Sequence, residues 1–319
     1  LMNQFWNPWV LMVFLAVPVL LSFRLVRVST NPPSNAAGYS GPARWGRIRA
    51  PALVFAAAFL LCFGLLWDPC GKRKEGRFLV DEHLSTWERT DRPFDQDWYG
   101  QESGYNYACI YDYCSRFYQM GRLNSRVDDQ ALRDYDVLVV KVPTSRYDVQ
   151  ELDAIERFVR KGGGLLLVAE HTNVFNSGTY INDIARRFGF HFRYDCLFDI
   201  DSTFEQLWQP PQVPHPIVQY TPDMDFAVSC SVDPGASLGQ SVIRSTGLRN
   251  LGADYHVSNY YPQVEDHAYS RYGAFTQLWS TRAGAGRVVA FTDSTIFSNF
   301  ATFEPGKAEL MLGMLEWLN

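Results

Sequence analysis

Several side chains that could do chemistry stand at the ends of apolar runs. Such runs are typical of buried strands, and in α/β proteins ligands bind beyond the carboxyl ends of parallel strands. The candidate crevice residues are Asp81, Glu82, His83, Lys141, Glu170, His171, Asn173, Asp293 and Ser294. Carboxylates and imidazoles that lie close together can bind a divalent metal, which acidifies a bound water, or can divide acid and base roles.

The same residue types also have structural uses. Asn173 and Ser294 are good helix caps, and Lys141 could neutralise Glu170 or Asp81. The residue types alone therefore leave three interpretations open: structural roles, a ligand or partner site, and catalysis. Ionisable groups with perturbed pKa values mark functional sites only statistically.

A serine motif of the G-x-S-x-G type occurs at Gly235–Gly239. The nucleophile elbow of hydrolases needs a strand before the serine and a helix after it. Here Pro234 precedes the motif, and the β-branched Val242 and Ile243 follow it in a strand-like run. The motif therefore predicts a glycine turn between strands.

The cysteines show no C-x-x-C pair, which excludes a zinc ribbon. Cys109 and Cys114 lie on a predicted helix, where residues five apart have Cα atoms roughly 8 to 9 Å apart, too far for a disulfide. Buried free thiols are favoured for these and for Cys196 and Cys230, although oxidation outside the cytoplasm stays open.

The elements that position the crevice residues form an α/β pattern. Three stretches rich in apolar residues are each predicted to be a buried strand of a parallel sheet: 164–169, 136–143 and 286–293. Asp148 and Glu151 have capping-box spacing and predict the start of a helix before the first of these runs. The predicted fold is a mostly parallel sheet flanked by helices.

Weaker signals complete the pattern. A short strand is predicted at 77–81, helices at 107–120 and 180–188, a further strand at 273–279, and a final helix after Pro305. Prolines break the stretch 191–263, which predicts inserted strands and loops beside the main sheet.

Two apolar runs near the start, 5–23 and 51–67, are long enough to cross a bilayer. A short, arginine-rich loop without acidic residues separates them, and the positive-inside rule makes that loop cytoplasmic. A cleaved signal peptide fits poorly, because the basic residues follow the first run. The predicted membrane anchors are Trp6, Trp9, Trp67, Arg24 and Arg27.

These segments predict a protein of the bacterial inner membrane with two transmembrane helices. Residues 1–71 would form the transmembrane hairpin, and residues 72–319 would form the periplasmic α/β domain. The net charge of -5, without a basic stripe, excludes nucleic acid as a partner. The lipid bilayer and other membrane protein subunits are the predicted partners.

The order of elements resembles the class I glutamine amidotransferase-like superfamily, in its divergent extracytoplasmic branch of bacterial membrane proteins of unknown function. The resemblance is carried by Val80–His83, Asp136–Val140, Gly162–His171 and Arg287–Ser294. It implies a catalytic cysteine after the third strand and a His and a Glu near the C-terminus.

This sequence departs from that pattern. Glu170 and His171 stand where the resemblance places the cysteine, and Asp293 and Ser294 stand near the place of the His and Glu. Glutaminase chemistry needs a thiolate nucleophile, so the departure predicts that this activity is absent.

The preferred functional prediction is a non-enzymatic, membrane-anchored accessory or scaffold subunit whose periplasmic domain binds a partner or stabilises a larger membrane complex, with energy-converting complexes among the candidates. No cofactor is predicted. One alternative is a metal-assisted hydrolase that uses a divalent metal held by Asp81, His83, Glu170, His171 and Asp293. Another is a periplasmic receptor for a small ligand, a sugar or a peptide, in the same crevice.

Overall fold

The computed structural model describes residues 56, 74–92, 104–199, 206–207, 215–252 and 271–319. The chain divides into two compact units, residues 1–72 and residues 73–319. All the described residues except Ala56 belong to the second unit.

The second unit alternates strands and helices. The strands are β1 (Arg77–Asp81), β2 (Gln119–Leu123), β3 (Val137–Lys141), β4 (Gly164–Val168), β5 (His191–Phe192), β6 (Asp195–Asp199), β7 (Gln206–Leu207), β8 (Asp225–Phe226), β9 (Val232–Asp233), β10 (Gly239–Gly252), β11 (Arg271–Ala283) and β12 (Gly286–Phe291). The helices are α1 (Ala108–Ser115), α2 (Asp129–Leu132), α3 (Val149–Arg160), α4 (Ser177–Ala185) and α5 (Lys307–Leu318).

Eight of the strands form one mixed sheet in the order β2-β1-β3-β4-β12-β11-β10-β6. The first five strands in this order are parallel to one another: β2, β1, β3, β4 and β12. β11, β10 and β6 continue the sheet in antiparallel pairing. Two small antiparallel ladders, β5 with β9 and β7 with β8, lie outside this sheet.

The α/β class is as predicted, but the predicted mostly parallel sheet is wrong. β10 and β11 are strands of 14 and 13 residues that pair with each other along most of their length. Gly284, with φ of +62°, and Ala285 form the tight connection from β11 to β12. Because such a hairpin needs no helical crossover, almost half of the sheet is built without the strand and helix alternation that favoured a parallel fold.

The predicted two-helix membrane hairpin is also corrected by the structure. No helix within the described residues is long and apolar enough to cross a membrane. The predicted inner-membrane location with a periplasmic main domain is corrected on this finding, since the positive-inside rule that oriented it applies only if the two apolar runs are membrane helices. The runs 5–23 and 51–67 lie outside the described residues, apart from Ala56, and so do the five predicted anchors.

Both faces of the parallel strands are covered, as their continuous apolar sequences predict. Alternate residues of β1 enter different cores: Phe78 and Val80 pack with α1 and α5, and Leu79 packs with α3 and α4. Every residue of β3 and β4 is buried. The two cores fix the positions of the strands, and hence of the residues that follow them.

The helices show how closely local signals set the boundaries. The Asp148 side chain accepts hydrogen bonds from the backbone of Gln150 and Glu151 at the start of α3. The Glu151 side chain accepts the backbone N–H of Asp148, as the predicted capping box requires. α1 is shorter than predicted, because the chain leaves the helix after Ser115 and enters β2, an edge strand that the sequence analysis did not predict.

Candidate functional site

The carboxyl ends of β1, β3, β4 and β12 meet at one edge of the sheet, because these strands are parallel neighbours. We call this the strand-end edge. The segment 82–92, the β1 loop, follows β1 and contacts the residues that follow β3, β4 and β12. β1 connects to β2 on one side and pairs with β3 on the other, so the edge includes the switch point where α/β sheets bind ligands.

Asp81 ends β1 and is fully buried. It accepts a hydrogen bond from the Tyr147 hydroxyl and two from the backbone N–H groups of His83 and Leu84, at 2.8 and 3.3 Å. Burial raises the pKa of Asp81, and the hydrogen bond from Tyr147 opposes this rise. These contacts turn the chain out of the strand, which gives Asp81 a structural role.

Lys141 ends β3 and pairs with Glu82 at 3.5 Å, with both side chains fully buried. Its Nζ also donates to the carbonyl oxygens of Ser85 and Trp87, at 3.1 and 3.2 Å. Thr90 donates to Glu82 through its backbone N–H and its hydroxyl, at 3.1 and 2.8 Å. Burial lowers the pKa of Lys141, and the charges of Glu82 and Glu88 oppose this change. Lys141 thus fastens the β1 loop to β3.

Glu170 follows β4, and Ser294 follows β12. The Ser294 Oγ lies 2.6 Å from Oε2 of Glu170 and 2.7 Å from Oε1 of Glu88, a residue of the β1 loop. Tyr107 donates its hydroxyl hydrogen to the Ser294 carbonyl at 2.5 Å. Burial, and then the charge of Glu170, raise the pKa of Glu88 to about 8.

His171 is buried beside Glu170, with its Nε2 3.8 Å from Oε1 of that carboxylate. Its Nδ1 lies 2.8 Å from the Thr172 hydroxyl. Asn173 accepts a hydrogen bond from the backbone of Thr179 at 2.8 Å and so holds the start of α4. The backbone turns sharply here: non-glycine residues in the left-handed region are Thr172, Asn173, Phe175 and Asn176.

Asp293 is fully buried after β12 and accepts the backbone N–H of Ala227 at 2.7 Å. Burial raises its pKa well above the usual range, with a further contribution from the charge of Glu170 and an opposing one from Lys307. Asp293 therefore ties the segment before β9 to the strand-end edge.

The structure brings Glu82, Lys141, Glu170 and Ser294 together at this edge, within one electrostatic cluster. His83 is exposed and turns away from it. Asn173 acts on α4. The sequence analysis missed Glu88, because nothing in its type or spacing distinguishes it from a surface residue. Its backbone φ of 59° marks it in the structure.

A surface cleft of about 300 Å³ lies at the same edge. Its lining residues are Thr86, Trp87, Glu88, Arg89, Arg92, Asn106, Thr144 and Phe175. The Trp87 ring is 4.8 Å from Phe175 and 5.7 Å from Tyr105, and the Tyr105 ring is 5.3 Å from Phe300. We call these four half-buried rings the aromatic strip.

The described part of the chain contains no group of three His, Cys, Asp or Glu side chains placed to hold a metal ion. The carboxylates of the predicted metal set, Asp81, Glu170 and Asp293, each accept hydrogen bonds from different elements. These carboxylates therefore stabilise contacts between segments of the protein.

Comparisons with known proteins identify a family and one solved structure of similar fold. A family model described as "Domain of unknown function (DUF4350)" matches residues 116–315. No curated protein is significantly similar to the chain. Among solved structures, the mmIFT52 N-terminal domain is 11% identical with a TM-score of 0.55, covering 76% of this chain and 96% of that domain.

Other structural matches are more distant. A putative ThuA-like protein from Bacteroides uniformis ATCC 8492 is 12% identical with a TM-score of 0.47, covering 78% of this chain and 92% of that one. Cytoplasmic Protein STM3548 from Salmonella typhimurium is 11% identical with a TM-score of 0.43, covering 76% and 98%. At such identities a match concerns the fold alone.

Proposed function

The chain belongs to the family of the domain of unknown function DUF4350, and within it we propose a non-catalytic binding domain, an accessory or scaffold subunit that acts by contact with a partner. The supporting observation is the closure of the strand-end edge by the protein itself. Glu170 and His171 are only 6% and 2% exposed. A substrate could not reach these groups without displacing the β1 loop.

The sequence after β4, which carries Glu170 and His171 and no cysteine, points the same way. We propose that the domain is a divergent relative of the glutamine amidotransferase-like superfamily, with Glu170 and His171 in the place of its cysteine. In this chain Glu170 accepts hydrogens from the His171 backbone and from the hydroxyls of Ser294 and Thr295. Such a carboxylate stabilises loops and is unavailable for attack on a substrate.

The aromatic strip supplies a surface suited to a partner. Its half-buried rings keep part of their surface exposed at the strand-end edge, and Trp87 and Phe175 also line the cleft. Large aromatic side chains that keep part of their surface exposed are the residues most often found as anchors of protein interfaces. We therefore place the binding surface on the aromatic strip.

The test is purification of the tagged full chain from its native source under gentle conditions, followed by sizing and mass spectrometry. We expect a stoichiometric companion that is lost when Trp87→Ala and Phe175→Ala are combined. The matched control is Phe303→Ala, which removes an exposed ring that packs on Tyr113 instead. Equal companion levels in both variants, or a lone chain with steady turnover of a substrate, would refute the proposal.

The cleft favours a second candidate, a receptor for a small ligand. A volume of about 300 Å³ is at the lower end of small-molecule sites. Binding would raise the melting temperature without any turnover. A panel of monosaccharides, disaccharides and short peptides can be screened by thermal shift, and a hit must disappear in the Trp87→Ala variant to support this candidate.

A further inference from the structure

The contact of Glu88, Ser294 and Glu170 needs one hydrogen more than the serine can supply. The Ser294 Oγ is within hydrogen-bond distance of a carboxyl oxygen on either side, at 2.7 and 2.6 Å. A hydroxyl carries a single hydrogen and donates it to one acceptor. The other contact is a hydrogen bond only when that carboxyl is protonated and donates to the serine oxygen.

The surroundings assign the proton to Glu88. Glu170 accepts hydrogens from the His171 backbone at 2.8 Å and from the Thr295 hydroxyl at 3.1 Å, which stabilise a negative charge. Oε2 of Glu88 is buried and has no hydrogen-bond partner. A buried carboxyl oxygen without a donor favours the neutral acid. The raised pKa of Glu88 agrees with this assignment.

We propose that the proton on Glu88 controls the position of the β1 loop, and we call this contact the lock. Protonated Glu88 holds the β1 loop against the residues that follow β4 and β12. Loss of the proton releases residues 86–89 and changes the shape of the cleft. The lock is a property of the fold. Its role as a regulator of partner binding rests on the proposed function, because Trp87 belongs to both the loop and the aromatic strip.

Charges on every neighbouring element bear on Glu88. Lys141 on β3 attracts a Glu88 carboxylate, but Lys141 is already paired with Glu82 of the β1 loop. Glu170 after β4 repels it. The remaining titratable groups of the cluster are Asp81 at the end of β1, Tyr107 before α1, His171 beside Glu170, Asp293 after β12 and Lys307 at the start of α5.

Loss of the proton to solvent therefore leaves two carboxylates that compete for the hydrogen of Ser294. Glu88 is the one that can leave, since it lies on a loop that lines the cleft, whereas Glu170 lies two residues after the end of β4, a fully buried strand. Its left-handed backbone, with φ of 59°, is strained for a residue with a side chain, and departure relieves that strain. Release breaks the hydrogen bond from Lys141 to the Trp87 carbonyl oxygen, whereas the bond from Lys141 to Ser85 remains, so the movement is confined to the residues that follow Ser85.

Hydrogen exchange of the full chain, without any partner, tests the lock. Protected amides are present in the loop, since the backbone N–H of Arg89 donates to Asn106 and that of Thr90 to Glu82. After correction for the intrinsic exchange rate, we expect the protection of residues 86–89 to fall by up to tenfold per pH unit between about pH 5 and 8 and then to level off, with Thr90 unchanged.

Variants separate the lock from general instability. In Glu88→Gln the protection of these amides should be independent of pH over this range, because the side-chain NH2 group donates to Ser294 as the protonated acid does and cannot be lost. Glu170→Gln serves as a second variant, since its nitrogen can donate to Ser294 while its oxygen faces the His171 backbone. The matched control is Glu309→Gln on the exposed side of α5, which should behave as the wild type.

Infrared spectroscopy gives an independent readout. Near neutral pH the carbonyl stretch of protonated carboxylic acids should be stronger in the wild type than in Glu88→Gln, because Asp293, whose pKa burial also raises, contributes to both spectra and cancels in their difference. Flat protection in the wild type, or an unchanged pH dependence in both Glu→Gln variants, would overturn the lock. Because no partner is present in these measurements, the lock can fail while companion capture at neutral pH still succeeds, and the reverse also holds.

Discussion

Replacement of Glu88 by glutamine should change how the stability of the protein depends on pH. Burial raises the pKa of Glu88 to about 8 in the folded protein, against about 4.5 for an ordinary glutamate. The folded state therefore binds the proton more strongly than the unfolded state. The stability that this group contributes is present in full below about pH 4.5 and is lost as the pH rises to about 8.

The magnitude follows from proton linkage. One proton bound by the folded state and absent from the unfolded state makes the free energy of unfolding fall by about 1.4 kcal/mol per pH unit. Between about pH 5 and 8 the limit is thus about 4 kcal/mol. The amide introduced by Glu88→Gln cannot titrate, so the free energy of unfolding of the wild type should fall relative to that of the variant with this slope as the pH rises.

Urea denaturation of the full chain, at half-unit intervals of pH, measures this difference. The comparison with the variant cancels the groups that titrate in both proteins. Glu309→Gln on the surface should follow the wild type at every pH. A constant difference between wild type and Glu88→Gln across the range would show that Glu88 is ionised in the folded state and would refute the reasoning.

Two further substitutions test the packing around the site. Lys141→Met leaves Glu82 as an uncompensated buried charge, so the free energy of unfolding should fall by about 3 to 5 kcal/mol. Glu82→Gln added to Lys141→Met should restore most of this loss, and a simple sum of the two effects would count against the pairing. Gly286→Ala would bring a Cβ within 2.0 Å of the Val159 carbonyl, so a loss of about 1 to 3 kcal/mol is expected in urea denaturation. A neutral effect there would mean that α3 and β12 are packed less closely than the structure places them.

Local sequence signals predicted the parallel half of the fold. β3, β4 and β12 are short apolar runs that are buried on both faces, and α3 begins with a capping box. In each case the residues that define the element are adjacent in the chain. Partners far away in the sequence were not needed to recognise these elements.

The antiparallel part was predicted only in fragments, such as the strand at 273–279 within β11, because the pairing that defines it joins residues far apart in the chain. β10 and β11 carry many Ser, Thr and Arg residues, and their pairing shifts register between Ser241 and Ile243 and again between Ser245 and Leu248. Such bulges interrupt the alternation that marks a strand in sequence. The segment 191–263 therefore appeared as an insertion, whereas β6 and β10 complete the main sheet.

The candidate site divides in the same way. The rule that polar residues follow buried strands located Glu82, Glu170 and Ser294, because it depends only on where each apolar run stops. It could not show that His83 is exposed, or that Glu88 returns to the strand ends from a polar loop. Those outcomes depend on the path of the β1 loop, which the charge of Lys141 and the backbone of Glu88 determine together.

The position of β12 has a consequence for biosynthesis. This strand is made after the other seven strands of its sheet, yet it lies between β4 and β11 and joins the parallel and antiparallel parts of the sheet. Until residue 291 has left the ribosome, β4 and β11 each present an unpaired edge, which is a template for association with other chains. A nascent chain of this protein is therefore most exposed to aggregation just before β12 is complete, and chaperone contacts should concentrate at that stage.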